Sequence, residues 1–194
     1  PEAALALRQQ LGIPQDRITV AYLGLLTDYQ GIPHLIGSAS LLHQAGEQIH
    51  FLIMGYPNLD KYRLMAEEAG ASGSMTFTGK VEYRNAAKYL ALGDIAVASK
   101  VSATEGSGKL LNYMAMAQPV VAFETPVNRE YLGDLGVYAP VGDAQSLATV
   151  IQQLAQDPKR RAALGQQLRL RAQNHYNWQS AGRQIEKLYY RLTT

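Results

Sequence analysis

The segment Lys100-Val-Ser-Ala-Thr-Glu-Gly-Ser-Gly-Lys109 concentrates more chemistry than any other stretch of the chain. A Gly-Ser-Gly turn entering a helix presents several backbone N–H groups near the positive end of the helix dipole, an environment suited to an anion. Lys109 falls in the first turn of that helix, where the dipole disfavours a cation. A bound anion would compensate for the clash. The plainer reading is that Ser107 caps the helix and the glycines merely let the chain turn. Both readings fit the residues. Glu105 sits where the dipole favours a carboxylate, and it is also placed to accept hydrogen bonds from ligand hydroxyls beside a phosphate site.

Other motifs fail on inspection. A Walker A loop needs Gly where Ala103 stands and Ser or Thr where Leu110 stands. The dinucleotide fingerprint belongs after the first strand, and Gly24-Leu-Leu-Thr-Asp-Tyr29 does not supply it. NAD binding and ATP hydrolysis are therefore disfavoured. The 4 histidines are dispersed: His34 and His43 on one helix, His50 at a strand start and His175 near the end. They do not cluster, so no metal site is expected. There is no Gly-x-Ser-x-Gly elbow and no Ser–His–Asp pattern. Glu130, following Arg129 in a short polar helix, reads as a structural pairing residue. Lys159, Arg160, Arg161, Arg169 and Arg171 read most simply as a solvated helix face, with a membrane-surface or partner role as the alternative.

These loops need a scaffold, and the sequence describes one. Short β-branched or aromatic runs at 18–23, 49–54, 75–78, 94–99 and 119–123 read as strands, with 136–139 a weaker sixth. Most are apolar at nearly every position, as strands buried on both faces are. Helical patterns fill 32–45, 59–69, 84–92, 109–117 and 128–132, and then 144–156, 158–175 and 178–192 follow without an intervening strand. Such alternation implies right-handed crossovers and a Rossmann-like α/β three-layer sandwich with a mostly parallel sheet of about six strands and a helical C-terminal tail. Ligands in such sheets bind beyond the carboxyl ends of the strands, where strand order reverses. That directs attention to the loops 24–31, 55–59, 79–84, 100–109 and 124–128.

Composition bounds the rest. The chain has 194 residues, 47% of them hydrophobic and 18% charged, which suits one domain with a substantial core. A net charge of +2 gives no electrostatic footprint for nucleic acid. Cys is absent, so disulfides, Cys-based zinc sites and thiolate nucleophiles are excluded. No apolar run approaches the ~20 residues of a membrane span, and no signal peptide is visible. The expectation is a cytoplasmic piece of a larger chain, since the sequence opens on Pro1 rather than Met.

The ordered segments Tyr22-Leu-Gly-Leu-Leu-Thr-Asp-Tyr-Gln-Gly31, Phe51-Leu-Ile-Met-Gly55, Phe77-Thr-Gly-Lys-Val81, Leu92-Gly-Asp-Ile-Ala-Val-Ala-Ser99 and Glu105–Ala122, with the closing Tyr176-Asn-Trp178, resemble the C-terminal half of group 1 glycosyltransferases. The resemblance covers nearly the whole chain. It implies the donor-binding half of a retaining transferase with two Rossmann-like domains facing across a cleft (GT-B), the missing N-terminal domain holding most of the acceptor site. On that view residues 1–194 form a single donor-binding domain: 1–175 is the sheet domain with its flanking helices, and the helix in 176–194 contacts the absent domain. The donor is a nucleotide-diphosphate sugar, with neither cofactor nor metal. Membrane association, at an inner membrane face, would come only through the acceptor.

The resemblance also assigns roles by position. Gly106, Ser107, Gly108, Lys109 and Leu110 would face the donor diphosphate. Glu105 matches the first acid of the family's paired-glutamate motif, which contacts the donor sugar hydroxyls. Asn112 stands where the second glutamate holds the ribose. Lys80 and Val81 would flank the base, and Gly24 belongs to the loop that approaches the phosphates. The catalytic assignments are Glu105 and Lys109.

There are departures. Six residues, not seven, separate Glu105 from Asn112, and Asn112 brings no charge. Family members often carry Arg where Leu25 stands and Lys where Gln30 stands; Lys109 would then supply the cation from another direction. Two other functions compete: a non-catalytic nucleotide or sugar-phosphate binding module, and a scaffold whose tail helix docks another chain.

Overall fold

The computed structural model of the chain describes residues 2–193. In chain order the elements are α1 (Glu2–Gln10), β1 (Ile18–Leu25), α2 (Ile32–Gln44), β2 (Ile49–Tyr56), α3 (Leu59–Glu68), β3 (Met75–Gly79), α4 (Tyr83–Leu90) and β4 (Ile95–Ala98). There follow α5 (Lys109–Ala115), β5 (Val120–Phe123), α6 (Pro126–Leu132), β6 (Val137–Ala139), α7 (Ala144–Ala155), α8 (Pro158–His175) and α9 (Trp178–Thr193). The strands form one 6-stranded sheet in the order β3-β2-β1-β4-β5-β6, parallel at every pairing. It is the Rossmann-like α/β sandwich, with its helical tail, that the alternation of patterns implies.

The strands are apolar along their length because each face has its own core. Val20, Tyr22, Phe51, Ile53, Val121 and Phe123 point to one face, where α2, α3 and α7 cover them. Their neighbours Ala21, Leu52, Met54, Ala96, Ala98 and Ala122 point to the other, against α4, α5 and α8. Period-2 alternation thus sorts residues between two interiors rather than between interior and water.

Two differences from the sequence reading have physical causes. Helix α1 lies where no element is expected: its Ala4 and Leu7 pack on the second core, and Arg8 donates to the carbonyls of Pro14 and Arg17. Its signal is a short apolar spacing in a mostly exposed helix, too weak to stand out. Strands β1 and β2 run two residues beyond their expected ends, through Gly24↔Gly55 and Leu25↔Tyr56. Those extra pairs carry the chain past the neighbouring strand and into the crevice.

Strand order reverses between β1 and β4, and their pairing is confined to Val20↔Ile95 and Ala21↔Ala96. Beyond Ala21, the edge of β1 that faces β4 finds other partners. The Leu23 N–H donates to the Tyr113 hydroxyl of α5 at 2.8 Å. A side chain thereby satisfies a backbone donor that no strand reaches, and α5 is held against the open end of the sheet. At the far end of the chain, Tyr176 stacks on Tyr131 with ring centroids 5.2 Å apart. The tail helix α9 then leaves Trp178, Ile185, Leu188 and Leu192 exposed.

Candidate functional site

The crevice at the strand reversal holds a cleft of about 300 Å³, lined by residues of two loops and the start of α5. The end of β1 contributes Leu23, Gly24 and Leu25, and the loop after it Gln30; the β4–α5 segment contributes Lys100, Gly106, Ser107 and Gly108, and α5 itself Lys109 and Asn112. These loops are laced together. Ser99 Oγ donates to the Gln30 carbonyl at 3.0 Å, and the Val101 N–H donates to the Tyr29 carbonyl at 3.1 Å. Gly31, at φ +77°, lies so close to the Ser99 carbonyl that a Cβ could not fit. Only glycine combines that left-handed backbone with that approach.

Lys109 is the centre of the arrangement. Its Nζ donates to Gln30 Oε1 at 2.7 Å and to the Tyr22 hydroxyl at 3.0 Å, and it lies 4.2 Å from the Tyr22 ring centroid. Gly24 makes room for it: a Cβ there would stand 2.8 Å from the ammonium. Both hydrogen-bond partners are neutral. Burial, and secondarily the charge of Lys100, push the Lys109 ammonium down to about 7. An ammonium has three N–H donors, so one remains uncommitted beside the cleft. Ser107 Oγ is buried there too and has no hydrogen-bond partner among the described residues. A polar atom left so costs about 1–3 kcal/mol, and an anion or ligand hydroxyl in the cleft would relieve that cost.

Several expected site residues therefore converge: Gly24, Gly106, Ser107, Gly108, Lys109 and Asn112 line one cavity. Others stand differently. Ser107 is not the helix cap; Gly108 holds that position and no side chain caps α5. Leu110 is fully buried in the second core, and its N–H donates to the Ser107 carbonyl at 2.9 Å. It supports the turn from beneath and has no free donor for a phosphate. Glu105 is outside the lining but directly precedes Gly106, which is in it, and its carboxylate lies 2.6 Å from Lys100 Nζ. Lys80 and Val81 lie beyond β3, outside the cleft lining: Lys80 Nζ sits 5.1 Å from the Tyr56 ring, and Val81 packs against the second core.

Two contributors escape a linear reading. Gln30 stands out in sequence only as the place of a missing cation, yet its side chain ends on Lys109. Lys100 follows a buried strand and gives no warning that it turns back on Glu105. His50 is a neutral core histidine: burial, then Arg17 and Arg8, hold it down at about 4, and Nε2 meets Thr76 Oγ1 at 2.9 Å. Among the described residues no group of three or more His, Cys, Asp or Glu is placed to hold a metal ion, and no helix is long and apolar enough to cross a membrane.

With that geometry in hand, comparison with known proteins is informative. Residues 5–171 match the family model described as "Glycosyl transferases group 1". A phosphatidyl-myo-inositol mannosyltransferase from Mycolicibacterium smegmatis is 28% identical over 182 residues, covering 92% of this chain and 46% of the relative. The structure of sucrose-phosphate synthase from Thermosynechococcus elongatus superposes with a TM-score of 0.83 at 25% identity, over 97% of this chain and 49% of that one. HepE from Anabaena in complex with UDP-glucose has the same fold, with a TM-score of 0.84 at 19% identity, over 98% of this chain and 53% of its own. The chain spans about half the length of the curated relatives it matches.

Proposed function

The chain belongs to the group 1 glycosyl transferases, and from that premise we propose that it is the donor-binding half of a retaining transferase acting on a nucleotide-diphosphate sugar. The observation that carries this reading is the buried ammonium of Lys109 in the switch-point cleft, with one uncommitted donor and the partnerless Ser107 hydroxyl beside it. A diphosphate supplies the charge and acceptors that both groups lack.

Transfer breaks the bond between the anomeric carbon and the diphosphate oxygen, whose electron pair stays on the leaving group. A bond then joins that carbon to the acceptor oxygen, whose proton passes to solvent, so that glycoside, nucleoside diphosphate and a proton are the products. Negative charge grows on the diphosphate in the transition state, so donors already aimed there bind it better than the ground state, and that difference is the catalytic gain. Lys109 is such a donor, desolvated enough by burial that its charge is screened less than in bulk water. Gln30 and Tyr22 fix its position, so little reorganisation is needed as charge develops. Glu105, one residue before the lining Gly106, is suited to hold sugar hydroxyls, and Asn112 to bond a ribose hydroxyl. Lys80 and Val81, outside the cleft lining, are proposed for the base on the family resemblance. HepE, which has the same fold, was solved in complex with UDP-glucose, which makes uridine diphosphate sugars the first to try here.

The acceptor site belongs, on this reading, to a preceding domain, with the exposed apolar face of α9 turned towards it. The test is turnover. The full-length protein should release nucleoside diphosphate from a nucleotide sugar, and Lys109→Met should lower kcat by about 100-fold or more. A full-length protein that binds the nucleotide sugar yet never turns it over would instead mark a binding module, a reading that the uncharged Leu25, Gln30 and Asn112 favour.

A further inference from the structure

The cleft has a second lysine, and its surroundings differ from those of the first. Lys100 is 5% exposed, and among the described residues the polar partners of its ammonium lie on one short stretch of the loop. Nζ meets Glu105 Oε2 at 2.6 Å and donates to the backbone carbonyls of Glu105 and Gly106, each at 3.3 Å. The three donors of an ammonium thus have three acceptors. Lys109, by contrast, meets no carboxylate among the described residues.

Burying an ammonium costs desolvation that only a close counter-charge and filled hydrogen bonds offset, and Lys100 finds its counter-charge in Glu105. Its placement fastens the segment before the glycine turn to the end of β4. It also fixes the direction of a carboxylate whose side chain is otherwise 58% exposed. Without that tether Glu105 would be one more solvated residue, paying rotamer entropy each time it met a ligand.

We propose that Lys100 is a positioning residue for the sugar end of the donor: its ammonium holds Glu105 where the carboxylate can accept sugar hydroxyls, while Lys109 meets the diphosphate. The division of labour rests on the donor reading above. It predicts that the two lysines affect different parts of one ligand.

Calorimetric titration of this chain with inorganic pyrophosphate, UDP, GDP, ADP, UDP-glucose, GDP-mannose and ADP-glucose separates those parts. The ratio of affinities between a nucleotide sugar and its own nucleotide isolates the sugar's contribution. In the wild type the ratio should favour the sugar conjugate for at least one base. Lys100→Met should reduce that ratio by about tenfold, the worth of a hydrogen bond to a charged group. Pyrophosphate affinity should stay within about threefold, a change too small for a lost charge-assisted contact. Lys109→Met should do the reverse. Lys100→Arg, which keeps the charge, should restore part of the ratio. Lys100→Gln, which keeps an amide donor for the carbonyls, should lose it while remaining folded, and it carries the test if Lys100→Met does not fold.

An unchanged ratio in Lys100→Gln overturns this inference and leaves the donor reading standing. So does a wild type that binds nucleotides without any gain from the sugar, and so does an equal loss of pyrophosphate binding. A wild type that binds none of the probes overturns the donor reading and this inference together.

Discussion

Lys109 is a cation by residue type, but its surroundings bring its titration down to neutral pH, and its chemistry turns on that tension. Its folded-state value of about 7 lies below its ordinary 10.5. Between those values the unfolded chain binds more protons than the folded one, so stability rises with pH across the window from about 7 to 10.5. Lys109→Met should flatten that rise in urea melts collected across the window. Ligand binding runs the other way. The diester diphosphate of a nucleotide sugar does not titrate near neutrality, so its affinity should fall above pH 7 by about tenfold per unit as the ammonium is lost. The same variant should bind weakly and without that slope. Leu25 is 41% exposed on the cleft wall, where a longer cation would reach a bound diphosphate. Leu25→Arg should raise pyrophosphate affinity by about tenfold at low salt, with the gain shrinking as salt is added. Residue types made Glu105, Lys109 and the glycines legible in the sequence. Gln30 and Lys100 were not, because their importance lies in where side chains from different loops end, and linear spacing does not encode that.

Helix α5 illustrates how an element is placed. It ends in a Schellman motif: the Ala117 N–H donates to the Met114 carbonyl and the Gln118 N–H to the Tyr113 carbonyl. Ala117 sits at φ +54°, in the left-handed region that disfavours a Cβ. Ala117→Gly should therefore stabilise the chain by about 1 kcal/mol in chemical denaturation. Across the interface Gly165 of α8 lies directly on the Ala117 carbonyl, where a Cβ would collide. Gly165→Ala should cost about 1–3 kcal/mol as the two helices are forced apart. The strands were legible because burial on both faces leaves them apolar throughout. Boundaries were less so: β1 and β2 continue through Gly24 and Gly55, residues that read as loop but pair side by side. Helix α1 was missed because much of its surface is exposed and its apolar spacing is brief.

On the scale of the whole molecule, one topological fact organises the rest. The reversal between β1 and β4 opens the sheet at its carboxyl end, and the loops that leave those strands meet there. Alternating strand and helix patterns implied the architecture, and right-handed crossovers then restricted where a ligand could sit. The tail helix α9 keeps an apolar face in water, and the chain spans about half the length of its relatives. Both facts suit the proposed reading of a donor-binding half that faces a further domain. The most direct test of that claim is a calorimetric titration of this chain with UDP, GDP, ADP and their sugar conjugates at pH 6.5, wild type beside Lys109→Met. The account predicts saturable binding of one nucleotide family by the wild type, weakened at least about tenfold in the variant. Equal affinity in a folded Lys109→Met protein, or no binding by the folded wild type, would contradict it.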